Sequence, residues 1–318
     1  MKTLSSLVGS LAVACLLLAS TLATASEPVR LADGSSHEGD LSTRNSAIRL
    51  GNDVQVSGDI HTRNGSISVG ERAHAERVSS RNGSITLGAD GRFGDIDTRN
   101  GSITLGDLSH AGRIETRNGR LRIGEAVETG ALASRNGTIG IGAGSRVEGD
   151  VGTRNGSIAV EPGTRIEGDL ESRNGGIRVG EGGHVTGEVR TRNGNIELLA
   201  SRVEQGVHSR GGDITTRGES HIGGNVTVEL TRDQAGQRGG FLWFGGTTIY
   251  PEAGNIDLRD STRVDGDIEV RLPENYETDI PIVRIGPGAS VRGDLRIDER
   301  VELIVEGEVG GRIERIAP

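Results

Sequence analysis

Hydrophobic and polar residues alternate on both sides of an Arg-Asn pair that recurs along most of the chain. Around Arg154-Asn155, Val151 precedes the asparagine by four residues, and Ile158 and Val160 follow it by three and five. The pair returns every 18 or 19 residues, and a degenerate copy stands at Arg210-Gly211. Alternation of this kind indicates two short strands, each with one buried face. A short fixed period indicates a repeat architecture.

A third short side follows the two strands, around residues 146–150, and completes one coil. We therefore predict an all-β fold, a single-chain parallel β-solenoid (β-helix) with 18–19 residues per coil and a spacing of about 4.8 Å between coils. Parallel crossovers favour a right-handed coil. Residues 26–230 would hold ten coils, 231–254 an insertion, and 255–318 further coils of a different sequence type.

Asparagine and glycine occupy the corner between the two strands. If the alternation continues through the corner, the asparagines point inward and form a structural ladder in which each amide donates to the next. The glycine that follows would supply a positive φ for a sharp corner, and the first copy has Ser46 there, as expected of a terminal repeat. The predicted ladder comprises Asn45, Asn64, Asn82, Asn100, Asn118, Asn136, Asn155, Asn174 and Asn193.

The arginines of the same repeats would point outward in a column, here called the arginine stripe. Two interpretations stay open: a solvated stripe, partly compensated by the acids five residues before the asparagines, or a groove for phosphate or uronate polymers, which arginine binds in bidentate fashion. The stripe comprises Arg44, Arg63, Arg81, Arg99, Arg117, Arg135, Arg154, Arg173, Arg192 and Arg210. The acids are Asp40, Asp59, Asp95, Asp150, Asp169 and Glu188.

Residues 1–25 have the features of a secretory signal peptide: Lys2, an apolar core and Ala23-Thr24-Ala25 as cleavage site. We expect Ser26 at the new N-terminus and a periplasmic, outer-surface-associated or secreted protein. No later apolar run is long enough for a transmembrane helix. Cys15 is the only cysteine and lies in the signal, so the mature chain would form no disulfide and no thiolate metal site.

The net charge and the absence of known motifs argue against several classes of function. The formal net charge is −9, whereas nucleic-acid binders usually carry a basic excess, so we predict no nucleic-acid partner. No histidine pattern for a metal, no serine elbow and no calcium-binding nonapeptide is present. We therefore predict that the protein is not an enzyme and that it binds no cofactor and no metal.

The insertion concentrates aromatic residues between glycine pairs. Such a segment could pack on the solenoid as a latch or associate with a partner, since exposed aromatic side chains commonly anchor interfaces. These candidate partner residues are Phe241, Trp243, Phe244 and Tyr250.

Short phrases after the insertion, such as Val264-Asp265-Gly266-Asp267-Ile268, resemble the coils of bactofilins, the polymer-forming β-helix proteins of bacteria. The Asn-Gly-x-Ile phrase is similar to putative-adhesin β-repeats of bacterial envelope proteins. These resemblances imply a β-helix that acts as a scaffold. Bactofilins are cytoplasmic, whereas residues 1–25 predict export, so architecture is implied more than a cytoskeletal role.

The sequence thus predicts a non-catalytic structural or adhesive scaffold of the bacterial cell envelope. Its partners would be copies of itself, in a homo-oligomer or filament, or another envelope component. The alternative is a binder, or less favourably a modifier, of anionic polysaccharide or lipopolysaccharide along the arginine stripe.

Overall fold

The computed structural model describes residues 28–230, 254–274, 276 and 280–317. In these residues the chain forms 42 strands and no helix. The strands make three parallel sheets of 14 strands each, here called sheets A, B and C. The chain passes through A, B and C in turn, and each circuit is one coil, numbered 1 to 14 from the N-terminal end. The predicted all-β parallel solenoid is confirmed.

The strands of each sheet follow in order of coil. Sheet A contains Val29–Leu31, Ile48–Leu50, Ile67–Val69, Ile85–Leu87, Ile103–Leu105, Leu121–Ile123, Ile139–Ile141, Ile158–Val160, Ile177–Val179, Ile196–Leu199, Ile214–Arg217, Ile256–Leu258, Ile282–Ile285 and Glu302–Val305. Sheet B contains Ser36–His37, Gln55–Val56, His74–Ala75, Arg92–Phe93, His110–Ala111, Glu128–Thr129, Arg146–Val147, Arg165–Ile166, His184–Val185, Arg202–Val203, His221–Ile222, Arg263–Val264, Ser290–Val291 and Glu308–Val309. Sheet C contains Leu41–Thr43, Ile60–Thr62, Val78–Ser80, Ile96–Thr98, Ile114–Thr116, Leu132–Ser134, Val151–Thr153, Leu170–Ser172, Val189–Thr191, Val207–Ser209, Val226–Glu229, Ile268–Arg271, Leu295–Asp298 and Ile313–Ile316.

Aliphatic side chains fill the interior in columns because the coils stack in register. Ile158 pairs with Ile139 on one side and with Ile177 on the other. All three side chains are at most 1% exposed. Burying one such side chain contributes about 1.5–3 kcal/mol. Burial of the aliphatic residues of the alternating pattern is therefore the main source of stability.

The coil count is larger than the ten copies of the Arg-Asn pair suggest. Those copies mark coils 1 to 10, an eleventh coil precedes the insertion, and three more follow it. The predicted third side is present as the two-residue strand Arg146–Val147 of sheet B. Fourteen coils at about 4.8 Å each give a stack roughly 60 Å long. The right hand of the coil stays a prediction.

Left-handed backbone occurs at the corner between sheets A and B, not at the Asn-Gly corner. One residue there has φ between 39° and 82° in each of coils 1 to 13, from Gly34 to Gly288. Several are not glycine, for example Asp53 and Leu108, each with φ of 58°. A residue other than glycine costs about 1–2 kcal/mol in this region. The prediction that the Asn-Gly glycines adopt a positive φ is therefore wrong.

A different constraint requires those glycines. A Cβ atom added to Gly156 would lie 2.1 Å from the carbonyl oxygen of Gly137, the equivalent residue of the preceding coil. From Gly65 to Gly212 the same distance is between 1.8 and 2.3 Å at every such corner. Ser46 occupies the first of these corners, and no earlier described corner lies beneath it. Close stacking of corners, not backbone conformation, excludes any side chain.

The insertion leaves the stack unbroken. It leaves sheet C after Leu230 and returns before sheet A of coil 12, at the same edge as the Asn-Gly corners. Ile214 nevertheless pairs directly with Ile256, and Val226 pairs with Ile268. The predicted signal peptide, residues 1–25, and the four aromatic residues of the insertion lie outside the described residues.

Candidate functional site

The Asn-Gly corner joins sheet C of one coil to sheet A of the next, and it presents two consecutive side chains to solvent. In coil 7, Thr153 is buried, Arg154 and Asn155 are both exposed, and Gly156 faces the interior. The prediction that the asparagines point inward is wrong for the whole column from Asn45 to Asn193. Two consecutive outward residues interrupt the strict alternation at this corner. The next position, Gly156, stacks so closely on the preceding coil that only glycine fits there.

Serine and threonine hydroxyls take the interior role that the sequence suggested for asparagine. Thr153 Oγ1 donates to the carbonyl of Gly137 at 2.9 Å, and Ser172 Oγ donates to that of Gly156 at 2.8 Å. The same bond recurs from Thr62 to Thr191, in coils 2 to 9. A buried carbonyl without a partner costs about 1–3 kcal/mol, so this column satisfies the glycine carbonyls at each corner.

The asparagine side chains form a continuous hydrogen-bonded ladder on the outer surface. Each amide donates to Oδ1 of the preceding coil, at 2.8 Å between Asn64 and Asn45 and 2.7 Å between Asn155 and Asn136. Eight such bonds join coils 1 to 9, all between exposed residues. Because each amide is fixed at both ends, the ladder holds the neighbouring backbone in a single arrangement.

The arginine stripe runs beside this ladder, one residue earlier in each coil. Its arginines are exposed, except that Arg192 is partly buried. Nine of the ten form no ion pair with a carboxylate in the described part of the chain, and the tenth, Arg192, has an interaction partner. Neighbours in the stripe are one coil apart, about 4.8 Å along the stack. Nine of its ten positive charges are therefore not balanced by an ion pair among the described residues.

The acids expected to compensate the stripe have another role. Asp150 Oδ1 accepts the backbone N–H of Asp169 at 2.9 Å, and Asp169 Oδ1 accepts that of Glu188 at 2.8 Å. Asp40, Asp59 and Asp95 do the same for the coil that follows each of them. These carboxylates satisfy backbone donors at the corner between sheets B and C, on the opposite side of sheet C from the stripe.

Many arginines elsewhere on the solenoid pair with carboxylates, whereas Arg49 and Arg122 on sheet A form no ion pair among the described residues. Arg72 forms two hydrogen bonds to the carboxylate of Asp53, at 2.7 and 2.9 Å. Arg146 lies 2.7 Å from Glu167, and Arg178 lies 3.6 Å from Glu197. The stripe differs from these paired residues because nine of its ten guanidinium groups form no ion pair among the described residues and lie in one column. An unpaired guanidinium can bind an outside anion without first losing a partner.

Two recesses lie on the outer face of sheet C, each bordered by stripe arginines. The first spans coils 8 to 11 and has a volume of about 1010 Å³. Arg173, Arg192 and Arg210 form one wall, and Glu188, Gly206 and Asn225 belong to the other.

The floor of the first recess carries Glu171, Arg190, His208 and Thr227. Arg190 is neutralised by hydrogen bonding to Glu188, with Asp169 3.8 Å away. Burial lowers the pKa of His208 below its ordinary value, and the adjacent Arg210 lowers it further. His208 is therefore uncharged near neutral pH. The sequence analysis missed it, although its position between the inward Val207 and Ser209 shows that it faces outward.

The second recess spans coils 2 to 5 and has a volume of about 580 Å³. Arg81, Arg99 and Arg117 form its stripe wall. Its floor, unlike that of the first recess, carries two acids, Asp97 and Glu115. Each recess thus has a wall formed by arginines of the stripe, and the two differ in the charge of the floor.

Sheet B carries a column of histidines and arginines that the sequence analysis did not identify. His221 Nε2 lies 2.8 Å from Asp265 Oδ2, and His184 Nε2 lies 2.7 Å from Glu204 Oε1. The hydrogen bond from His221 lowers the pKa of Asp265 to about 2, with a further contribution from Arg263. The pairs join adjacent coils and tie the outer face of sheet B together.

Within the part of the chain that the structure describes, no three histidine, cysteine or acidic side chains lie together as a metal-ligand set. No helix among these residues has the length and apolar character needed to cross a bilayer. Comparison with known proteins adds no relative: no family model matches the chain, and neither the curated proteins nor the solved structures contain a significant match.

Proposed function

We propose that the chain is a non-catalytic scaffold of the bacterial cell envelope that displays the arginine stripe along a rigid solenoid. The observation that carries this proposal is the pair of adjacent columns at one corner: a hydrogen-bonded asparagine ladder and a line of ten arginines, nine of which form no ion pair among the described residues. The ladder fixes the spacing of the arginines over coils 1 to 9, so charge is presented there at regular intervals. Such a surface suits a partner that is itself repetitive.

Export is part of this proposal. Processing between Ala25 and Ser26 would deliver the solenoid to the periplasm, the outer surface or the medium. Partners would then be envelope components or further copies of the chain. The resemblance to putative-adhesin and bactofilin repeats supports a scaffold role.

Two measurements on the exported protein test the scaffold. Intact-mass measurement in the native host should give a chain beginning at Ser26, and a retained Met1 would contradict export. Electron microscopy should show single rods of about 60 Å or filaments built from them. Particles without a rod shape would contradict a rigid display scaffold.

The second candidate is a binder of anionic polysaccharide or lipopolysaccharide along the stripe. It is favoured by the absence of ion pairs at nine stripe arginines, in contrast to paired residues such as Arg72 and Arg146. Guanidinium groups bind carboxylate and phosphate in bidentate fashion. Retention on immobilised polyuronate should be saturable and should fall when salt rises from about 0.05 to 0.5 M, because salt screens exposed charges. Absence of retention at low salt would contradict this candidate.

A further inference from the structure

The two recesses on sheet C are unequal as sites for an anion, although the stripe borders both. In the second recess the acids Asp97 and Glu115 lie on the floor, directly beside Arg99 and Arg117. Asp97 is already engaged by Arg77, at 2.9 Å from Nε. An anionic ligand lying there would meet two carboxylates in addition to the arginines. The negative charges of the ligand and of the two carboxylates would repel each other, and this repulsion opposes binding.

The first recess lacks this obstacle over most of its length. Its floor carries a single acid, Glu171, at one end, and the charge of Arg190 is balanced by Glu188. From there to coil 11 the floor residues are His208 and Thr227. On the floor, a ligand beside Arg210 would therefore meet an imidazole and a hydroxyl group, and the carboxylate near it, Glu229, lies at the stripe position of coil 11.

The far wall of the first recess is also free of charge at two successive coils. The corner between sheets B and C carries an acid at Asp150, Asp169 and Glu188, and then Gly206 and Asn225. Asn225 Oδ1 accepts the backbone N–H of Asp267 at 2.9 Å, as the aspartates do in other coils. Asparagine thus keeps the structural bond of this corner and removes its negative charge.

We propose that the recess formed by Arg173, His208, Arg210 and Asn225 is the binding subsite for an oxyanion-bearing linear glycan. The proposal rests on the anionic-glycan function above and locates it in coils 8 to 11. Arg173 and Arg210 would bind carboxylate or phosphate groups two coils apart, and the far wall at Gly206 and Asn225, beyond the acid Glu188, would accept the hydroxyl groups of the sugar.

His208 gives the subsite a pH dependence. Charged groups around it are Arg210 in its own coil, Arg190 and Glu188 in the preceding coil, and Glu229 in the following coil. A bound anion adds negative charge and favours the protonated imidazole. Affinity should therefore rise as pH falls from about 8 to about 5, a range in which histidine is the side chain that normally titrates.

The test compares two double variants of the full chain that remove the same charge at the same spacing. Arg173→Gln/Arg210→Gln alters the first recess, and Arg81→Gln/Arg117→Gln alters the second. Binding of a uronate oligosaccharide and of lipopolysaccharide would be measured by titration calorimetry at low salt, with a neutral dextran as control. Circular dichroism melting of both variants establishes that they are folded.

We expect the first double variant to weaken binding by about tenfold or more, since hydrogen bonds between guanidinium and an anionic group are stronger than those between neutral groups. The second should change affinity less than about twofold, because its arginines face a floor with carboxylates. Preference for the uronate or for lipopolysaccharide in the wild type decides whether carboxylate or phosphate is the natural anion.

Each of the other outcomes would contradict one part of the proposal: the subsite, the stripe as the binding surface, or glycan binding itself. Equal weakening by both double variants would mean that the whole stripe binds, which removes the subsite and keeps the glycan function. Unchanged affinity in both variants would remove the subsite and the stripe as the binding surface. No binding by the wild type would remove the glycan function itself. His208→Gln should keep the affinity measured at about pH 8 and lose its rise at low pH; an unaltered rise would exclude His208 from the subsite.

Discussion

The side-chain amide of Asn155 donates to Oδ1 of Asn136 at 2.7 Å, although both residues are exposed to solvent. They are 19 residues apart in sequence and equivalent in adjacent coils. Water competes for each such bond, so one rung contributes little to stability. Repeated over nine coils, the bonds fix the outer edge from which the arginine stripe extends.

Replacing Asn155 with alanine removes two rungs of the ladder. We expect the free energy of unfolding to fall by about 1 kcal/mol, because exposed hydrogen bonds contribute at the low end of the usual range. Arg154→Ala should change it by less than about 0.5 kcal/mol. Urea unfolding followed by circular dichroism measures both. A loss above about 3 kcal/mol for Asn155→Ala would indicate a buried amide.

Gly156→Ala should be far more damaging than a matched substitution four residues away. The new Cβ would lie 2.1 Å from the carbonyl oxygen of Gly137, so adjacent coils would have to separate. We expect a loss of about 3 kcal/mol. At Gly152, in the strand before the corner, the nearest atom to a new Cβ is 4.0 Å away. Gly152→Ala should be neutral or stabilise by about 0.5 kcal/mol, and similar melting of the two variants would refute the stacking constraint.

Asp265 gives a prediction for acid. Its folded-state pKa is about 2, against an ordinary value of 3.8, chiefly through the hydrogen bond from His221. Because the folded value is the lower one, the carboxylate's contribution to stability is complete above about pH 4 and is lost as pH falls towards about 2.

His221→Gln tests the cause of this pKa. In that variant the pKa of Asp265, followed by NMR of its carboxyl carbon, should rise towards 3.8. Acid unfolding between about pH 4 and 2 should then depend less on Asp265. His74→Gln, on the same face of sheet B, is the control and should leave the titration of Asp265 unchanged. A pKa of Asp265 unaltered by His221→Gln would assign the shift to Arg263 instead.

Deleting residues 236–248 should leave the solenoid intact. Ile214 pairs directly with Ile256, and Val226 with Ile268, so the sheets do not depend on the intervening segment. We expect the melting curve to change by no more than a surface substitution does, about 0.5 kcal/mol, while association with itself or a partner falls. As a control, Ile256→Ala should cost about 2–5 kcal/mol, because its side chain is fully buried. Collapse of the melt on deletion, with association unchanged, would make the insertion a structural latch.

The sequence alone predicted the solenoid, its period and the strands on both sides of each Arg-Asn pair. Residues such as Val151, Ile158 and Val160 carry this information locally, because a strand with one buried face must alternate. The third side around Arg146 was also visible, since its aliphatic residue recurs with the same period. None of these inferences depends on which atoms of neighbouring coils approach each other.

Only the tertiary structure decided which way the corner residues face. The direction of Asn155 and the need for glycine at 156 depend on the distance to Gly137 in the coil below, and that distance is set by stacking. The partner of Arg146 and the absence of one for Arg154 depend likewise on carboxylates in other coils. The first recess joins His208 to Arg173 and Asn225, residues that no local pattern connects, because parallel stacking places side chains from successive coils on one face.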